Sequence, residues 1–253
     1  MSIQPSRGLT RIVQPFQRLG NNFKPSFVPD SLPCLRPVQR LTNKTLHLKK
    51  MPEDYPLVTG ANHWRRKVKT VFQRLDSNAD GYITKEDLVI SAKRHIEYLK
   101  LQVIEFHNVR TKVIVKVFHF LDEPAEHILN LRLHMWSALA GDKPSLSQEE
   151  HWKNNFSIVN QSHFRRELYY IIVSTEFNVM DTDGDGLISK EEHAAFFYSH
   201  YIPTKYSKSV FDVMDSNADG IISFQEFTQA YVEFWLTEEP NNIYNEFYGP
   251  LVY

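Results

Sequence analysis

The sequence predicts an all-α fold: four helix–loop–helix units in two pairs forming one compact domain, behind a disordered N-terminal arm. Three observations carry this. Apolar residues recur at helical spacing and stop at an aspartate in three places. Closely similar acidic stretches of twelve residues follow those stops, at 76–87, 181–192 and 215–226. The first 50 residues differ in composition from everything after them. The expected divisions are an arm over 1–60, a first pair over 61–160, and a second pair with a C-terminal tail over 161–253.

At 253 residues and 42% apolar content, the chain can bury a core without covalent staples. Its one cysteine, Cys34, excludes an internal disulfide and a cysteine-based zinc site. No apolar run approaches the ~18 residues of a membrane span, and no N-terminal stretch reads as a secretory signal. A soluble intracellular protein is therefore expected, in which the triplets starting at Asn43, Asn155 and Asn160 are not glycosylation sites.

The net charge of −1 conceals two parts of opposite sign. Residues 1–50 hold nine Lys or Arg against one acid, Asp30, so the rest of the chain carries nine negative charges in excess. An acidic body suits a protein that gathers cations. In the arm, Pro5, Pro15, Pro25, Pro29, Pro33 and Pro37 leave no room for a long helix or strand. Two readings of it stay open: a mitochondrial presequence, supported by its arginines, and a plain flexible tail. A nucleic-acid or membrane arm is the less favoured third. The expected location is cytoplasmic, or mitochondrial if the arm is a presequence. No nucleic-acid partner is expected, protein partners are not legible, and the chain should be a monomer.

Trp64, Val68, Val71, Phe72 and Leu75 form the first helical stripe, which breaks at Asp76; Leu88, Ala92, Ile96 and Leu99 form the next. Phe164, Leu168, Ile171 and Ile172 lead into Asp181, and Val210, Phe211 and Met214 lead into Asp215. The last two loops start 34 residues apart, the length of one helix–loop–helix unit. Within 109–121 the run Val113 to Val117 alternates like a strand, yet a helix is expected because no sheet is available to receive it.

The loops carry the chemistry. A hard cation such as Ca²⁺ takes about six to eight oxygens at roughly 2.3–2.6 Å, so a short segment must turn many oxygens inward. Positions 1, 3 and 5 offer side-chain oxygens, position 6 is a glycine for the turn, position 7 gives a carbonyl, position 9 works directly or through water, and position 12 closes the shell. DTDGDGLISKEE supplies Asp181, Asp183, Asp185, the Leu187 carbonyl, Ser189 and Glu192. DSNADGIISFQE supplies Asp215, Asn217, Asp219, the Ile221 carbonyl, Ser223 and Glu226. DSNADGYITKED supplies Asp76, Asn78, Asp80, the Tyr82 carbonyl and Thr84, but ends in Asp87. That aspartate is one methylene shorter than the usual glutamate, which lowers the coordination number toward the six that Mg²⁺ prefers. Three Ca²⁺ ions are expected, with Mg²⁺ competing most strongly at the first site.

These are EF-hands, and hands work in pairs, so a fourth is expected between 100 and 160. Leu139 to Glu150 (LAGDKPSLSQEE) fits in register, with Leu146 at position 8 and Glu150 at position 12. Leu139 replaces the first carboxylate, Lys143 sits at position 5 and Pro144 replaces the glycine, so this hand should bind no ion and serve as the partner of the first. The histidines, His134, His151, His193 and His200 among them, show no metal-ligand spacing, and the four tryptophans read as core. A cavity for an aromatic ligand is the minority reading of those rings. No nucleophile elbow or phosphate-cradling turn occurs, and no enzyme is expected.

With three intact hands, a broken second one, HWRRKVKTVFQRLD at 63–76 and YNEFYGPLV at 244–252, the chain resembles the invertebrate sarcoplasmic calcium-binding proteins over about residues 64–252. The resemblance implies a compact four-hand domain that binds Ca²⁺ and Mg²⁺ at hands one, three and four and acts as an intracellular buffer. The basic arm and a longer segment between the first two hands depart from that family. A calcium sensor is the alternative, opposed by a total of five methionines. A luciferin-binding or photoprotein relative is the other.

Overall fold

A computed structural model describes residues 46–107 and 122–253. The readings of residues 1–45 and 109–121 fall outside that range.

Each hand is a helix, a short strand and a second helix. The first comprises α1 (Asn62–Leu75), β1 (Tyr82–Thr84) and α2 (Lys85–His107); the second comprises α3 (Asp122–Ala140), β2 (Ser145–Ser147) and α4 (Gln148–Val159). The third enters through a π-helical turn at Phe164–Leu168 and continues as α5 (Tyr169–Met180), β3 (Leu187–Ile188) and α6 (Lys190–Ser199). The fourth is α7 (Ser207–Met214), β4 (Ile222–Ser223) and α8 (Phe224–Leu236). Among the described residues no helix is long and apolar enough to cross a membrane.

The two pairs are set by two antiparallel ladders. Ile83 of β1 faces Leu146 of β2, and Ile188 of β3 faces Ile222 of β4. All four side chains are fully buried. A strand of two or three residues has no stability alone, so each loop completes its backbone hydrogen bonds only against its partner. That requirement explains why the degenerate hand keeps its apolar position 8 after losing its ligands. Helix α2 packs on α3 and α6, α3 packs on α5, and α1 packs on α4, which merges the pairs into one body. Ala92, Ile96, Ile128 and Val179 form a small apolar cluster at the junction of α2, α3 and α5.

The arm expected to reach residue 60 gives way to structure earlier, because residues 46–60 lie on the body. Leu46, Tyr55 and Val58 are buried. The Arg165 guanidinium donates to the carbonyls of Pro52, Tyr55 and Pro56, and Tyr55 Oη donates to Glu233 at 2.8 Å. These anchors are far away in sequence, so the local excess of charge and proline dominates the sequence reading.

The ends of α1 and α8 exchange charged caps. Glu238 accepts from the backbone N–H groups of Thr59, Gly60 and Ala61 at 2.8–3.0 Å, placing a carboxylate at the positive end of α1. Lys67, fully buried on α1, donates to the Phe234 and Thr237 carbonyls at the negative end of α8. The C-terminal tail is then strapped to α1: Arg66 donates to the Leu251 and Val252 carbonyls, Arg74 to that of Pro250, and Val252 N to Thr70 Oγ1. Phe247 and Tyr248 pack into the α8 aromatics, with ring centroids 5.3 Å from Phe227 and 5.2 Å from Phe234 respectively.

Candidate metal centres

All three acidic loops leave their helices in one way. The N–H groups of Asp76, Asp181 and Asp215 donate to the carbonyls of Phe72, Phe177 and Phe211 at 2.8–2.9 Å, and each aspartate then turns out of the helix with ψ near 80°. The phenylalanine four residues before each loop is buried in every case. Phe72 and Phe211 already stand in the apolar stripes of the sequence; Phe177 does not, and the shared Phe-x-x-x-Asp spacing is what marks it. It seats the first carboxylate of each loop on the core.

Two left-handed residues then bend the chain. Position 6 is Gly81, Gly186 and Gly220, with φ of 88°, 87° and 91°. A Cβ at any of them would meet nothing within 4 Å, so backbone conformation rather than crowding calls for glycine there. Position 4 is also left-handed, at Ala79 (58°), Gly184 (72°) and Ala218 (58°). The turn gathers the side chains at positions 1, 3 and 5. Asp76 Oδ2, Asp181 Oδ2 and Asp215 Oδ2 accept from the position-6 N–H at 2.9–3.0 Å. The position-3 oxygens of Asn78, Asp183 and Asn217 accept from the position-5 N–H at 2.9–3.1 Å. Asp80, Asp185 and Asp219 accept from the position-7 N–H groups of Tyr82, Leu187 and Ile221 at 2.8–3.1 Å.

The position-12 carboxylate closes each loop. One oxygen of Glu192 accepts from Thr182 N and Asp183 N, and the other from Ser189 N and Oγ. Glu226 does the same with Ser216, Asn217 and Ser223. Asp87, despite its shorter reach, makes the matching set with Ser77 N, Asn78 N, Thr84 N and Thr84 Oγ1 at 2.6–3.2 Å and is fully buried. Ser189 and Ser223 also form capping boxes with Glu192 and Glu226, so the position-9 serine both faces the loop and starts the outgoing helix. The degenerate hand keeps the same box in Ser147 and Glu150. There the Lys143 ammonium lies 2.6 Å from Glu150 Oε1 and holds that carboxyl down to about 2, supplying a positive charge from within the chain.

The donor set fits a hard divalent ion. One oxygen each from Asp181, Asp183 and Asp185 lies within 4.8 Å of the others. Asp181 Oδ1 is buried without a hydrogen-bond partner. Burial, and after it the Glu192, Asp183 and Asp185 charges, push the Asp181 carboxyl up to about 7; burial also raises Glu192. A cation in the loop would relieve all of these at once.

Of the four histidines singled out in the sequence, His151, His193 and His200 are buried and His134 is exposed. His193 Nδ1 lies 2.8 Å from Ser207 Oγ, and His200 Nε2 lies 3.0 Å from the buried Arg132 guanidinium. Burial lowers His95, His151, His193 and His200 far enough to keep the rings neutral. His151 Nδ1 and His193 Nε2 are buried without a hydrogen-bond partner, and His134, His151 and His200 line one cavity.

An EF-hand domain-pair model matches residues 171–232, and an EF-hand model matches residues 68–89. A coelenterazine-binding protein from Renilla muelleri, in its calcium-loaded apo form, is 26% identical over 75% of this chain and 96% of its own, with a TM-score of 0.60. Okadaic acid binding protein 2.1 (22% identical, 76% and 97% covered, TM-score 0.51) and an apoaequorin complex (17%, 81% and 100%, 0.53) share the fold. No curated protein matches the sequence. The matched hands and their paired helix–loop–helix geometry make this chain a calcium-binding protein of the EF-hand superfamily.

Proposed function

We propose that this chain is an intracellular Ca²⁺/Mg²⁺ buffer of the sarcoplasmic type, cytoplasmic and monomeric, holding ions in loops 76–87, 181–192 and 215–226. The observation that carries the reading is the matching backbone of three loops, in one of which the position-1, -3 and -5 carboxylates lie within 4.8 Å of one another. Asp76, Asn78, Asp80, Thr84 and Asp87 would hold the first ion with the Tyr82 carbonyl, and the corresponding residues of the other loops would hold theirs. The ion supplies the positive charge that the clustered carboxylates lack. A buffer is favoured over a sensor because five methionines are few for a methionine-rich groove, and two of them, Met180 and Met214, are buried.

Calorimetric Ca²⁺ titration with and without Mg²⁺ tests this reading. Three ions should bind, with Mg²⁺ competing most at the first loop; retention of fewer than two Ca²⁺ would sink it. Asp87→Glu should shift the first loop toward Ca²⁺. A large calcium-dependent rise in hydrophobic-dye fluorescence would instead support a sensor.

A second reading, in which the body also encloses a small organic guest, is favoured by the cavity bordered by His151 and by likeness to a coelenterazine-binding protein.

A further inference from the structure

The outgoing helices of the first and third hands, α2 and α6, pack on each other although they belong to different pairs. Each carries a closing carboxylate in its first turn, Asp87 on α2 and Glu192 on α6. Further along, Tyr98 of α2 meets Tyr198 of α6, with ring centroids 5.2 Å apart and ring planes at 39°. That is the separation of touching aromatic rings. Arg94, one turn before Tyr98, fixes the second ring. Its Nε and Nη2 donate to the Tyr198 carbonyl at 3.2 and 2.9 Å, and its guanidinium lies 4.2 Å from the Tyr198 ring centroid. The same guanidinium lies 3.7 Å from the ring of Tyr201.

Tyr98 and Tyr198 are both half-buried, so each keeps part of its surface open to a reagent in solvent. Tyr231 and Tyr248, by contrast, are buried in the core. A phenol that loses one electron together with its hydroxyl proton becomes a neutral radical whose spin lies in part on the ring carbons ortho to oxygen. Two such radicals join through those carbons when the rings touch. Rings already held in contact by two packed helices meet without diffusion, which turns a bimolecular coupling into an intramolecular one.

We propose that Tyr98 and Tyr198 are an oxidative modification site, which closes into an intramolecular dityrosine when the protein meets a one-electron oxidant driven by hydrogen peroxide. Each phenol gives up one electron and its hydroxyl proton, and a bond forms between the two ortho carbons. The hydrogens on those carbons then move to the oxygens, which restores both phenols. The peroxide takes up the two electrons and two protons and leaves as two waters. The link ties α2 to α6, the two helices that start at the closing carboxylates of loops 76–87 and 181–192.

Treating the full chain, at several low protein concentrations, with a haem peroxidase and hydrogen peroxide tests this. Dityrosine fluorescence should appear in the monomer, peptide mass spectrometry should map it to Tyr98 joined to Tyr198, and the yield per chain should not change on dilution. Tyr98→Phe and Tyr198→Phe should each cut the yield at least about tenfold, since the proximity advantage is lost, whereas Tyr201→Phe should leave it unchanged. If a variant does not fold, the peptide map of the unaltered protein decides. Linked dimers whose yield falls on dilution, a link mapped to another pair of tyrosines, or oxidation without dityrosine would each overturn the proposal.

Discussion

Asp183→Asn gives the third loop the position-3 residue that the other two already use. The fold tolerates it, because Asn78 and Asn217 make the same turn through Oδ1 and add an Nδ2 bond to Asp80 and Asp219 at 3.0 and 2.8 Å. Without metal, Asp183 repels Asp181 and Asp185 across no more than 4.8 Å. In a water-like dielectric each such pair costs about 0.9 kcal/mol, so the substitution relieves roughly 2 kcal/mol. With Ca²⁺ at about 2.4 Å, the lost carboxylate removes about 3.5 kcal/mol of attraction. The net loss of binding is about 2 kcal/mol, on the order of 10- to 30-fold in affinity. The variant should therefore be more stable than the parent in chelator and bind Ca²⁺ more weakly at one site of three. Denaturant unfolding in chelator and calorimetric titration read the two effects separately. Lower stability in chelator, or unchanged affinity at all three sites, would refute the electrostatic account.

Gly249 and Gly220 share a left-handed φ, but a Cβ at Gly249 would lie 2.7 Å from Ile202 Cγ2 while one at Gly220 would meet nothing. Gly220→Ala should cost the metal-free protein about 1–2 kcal/mol and Gly249→Ala about 1–3 kcal/mol more, measured by denaturant unfolding; equal costs would show that the tail is not seated on Ile202. The metal-free protein should also be acid-labile. His95, His151, His193 and His200 stay neutral when folded but take protons near pH 6.5 when unfolded, so their stabilisation is present above 6.5 and lost as pH falls. Glu176 and Asp181, both raised to about 7, oppose this by taking two protons in the folded state. The net two protons give a loss of about 3 kcal/mol per pH unit below 6.5, and a flat stability profile from pH 6 to 5 would contradict it. Lys143→Met should lower stability by less than about 1 kcal/mol, since the pair it breaks is half-exposed. Ca²⁺ stoichiometry should stay at three because Leu139 and Pro144 remain; a fourth bound ion would show that the lysine alone blocks that hand.

The sequence by itself determined the loops and their pairing. An ion's coordination shell demands given atoms at given offsets within twelve residues, and the partner strand demands an apolar residue at position 8 even in the hand without ligands. The Phe-x-x-x-Asp entry and the Ser-x-x-Glu exit were equally local, written at 72–76, 177–181 and 211–215 and again at 189–192 and 223–226, though loop chemistry named the serines and glutamates only as ligands and passed over their capping role and Phe177. Tertiary structure decided the rest. Lys67 meets Phe234 across 167 positions and Gly60 meets Glu238 across 178, so no window of sequence holds both partners. The cavity is likewise a remainder left by five helices after packing. Its size and the unpartnered nitrogen of His151 are properties of their relative placement, which periodicity and ligand spacing do not encode.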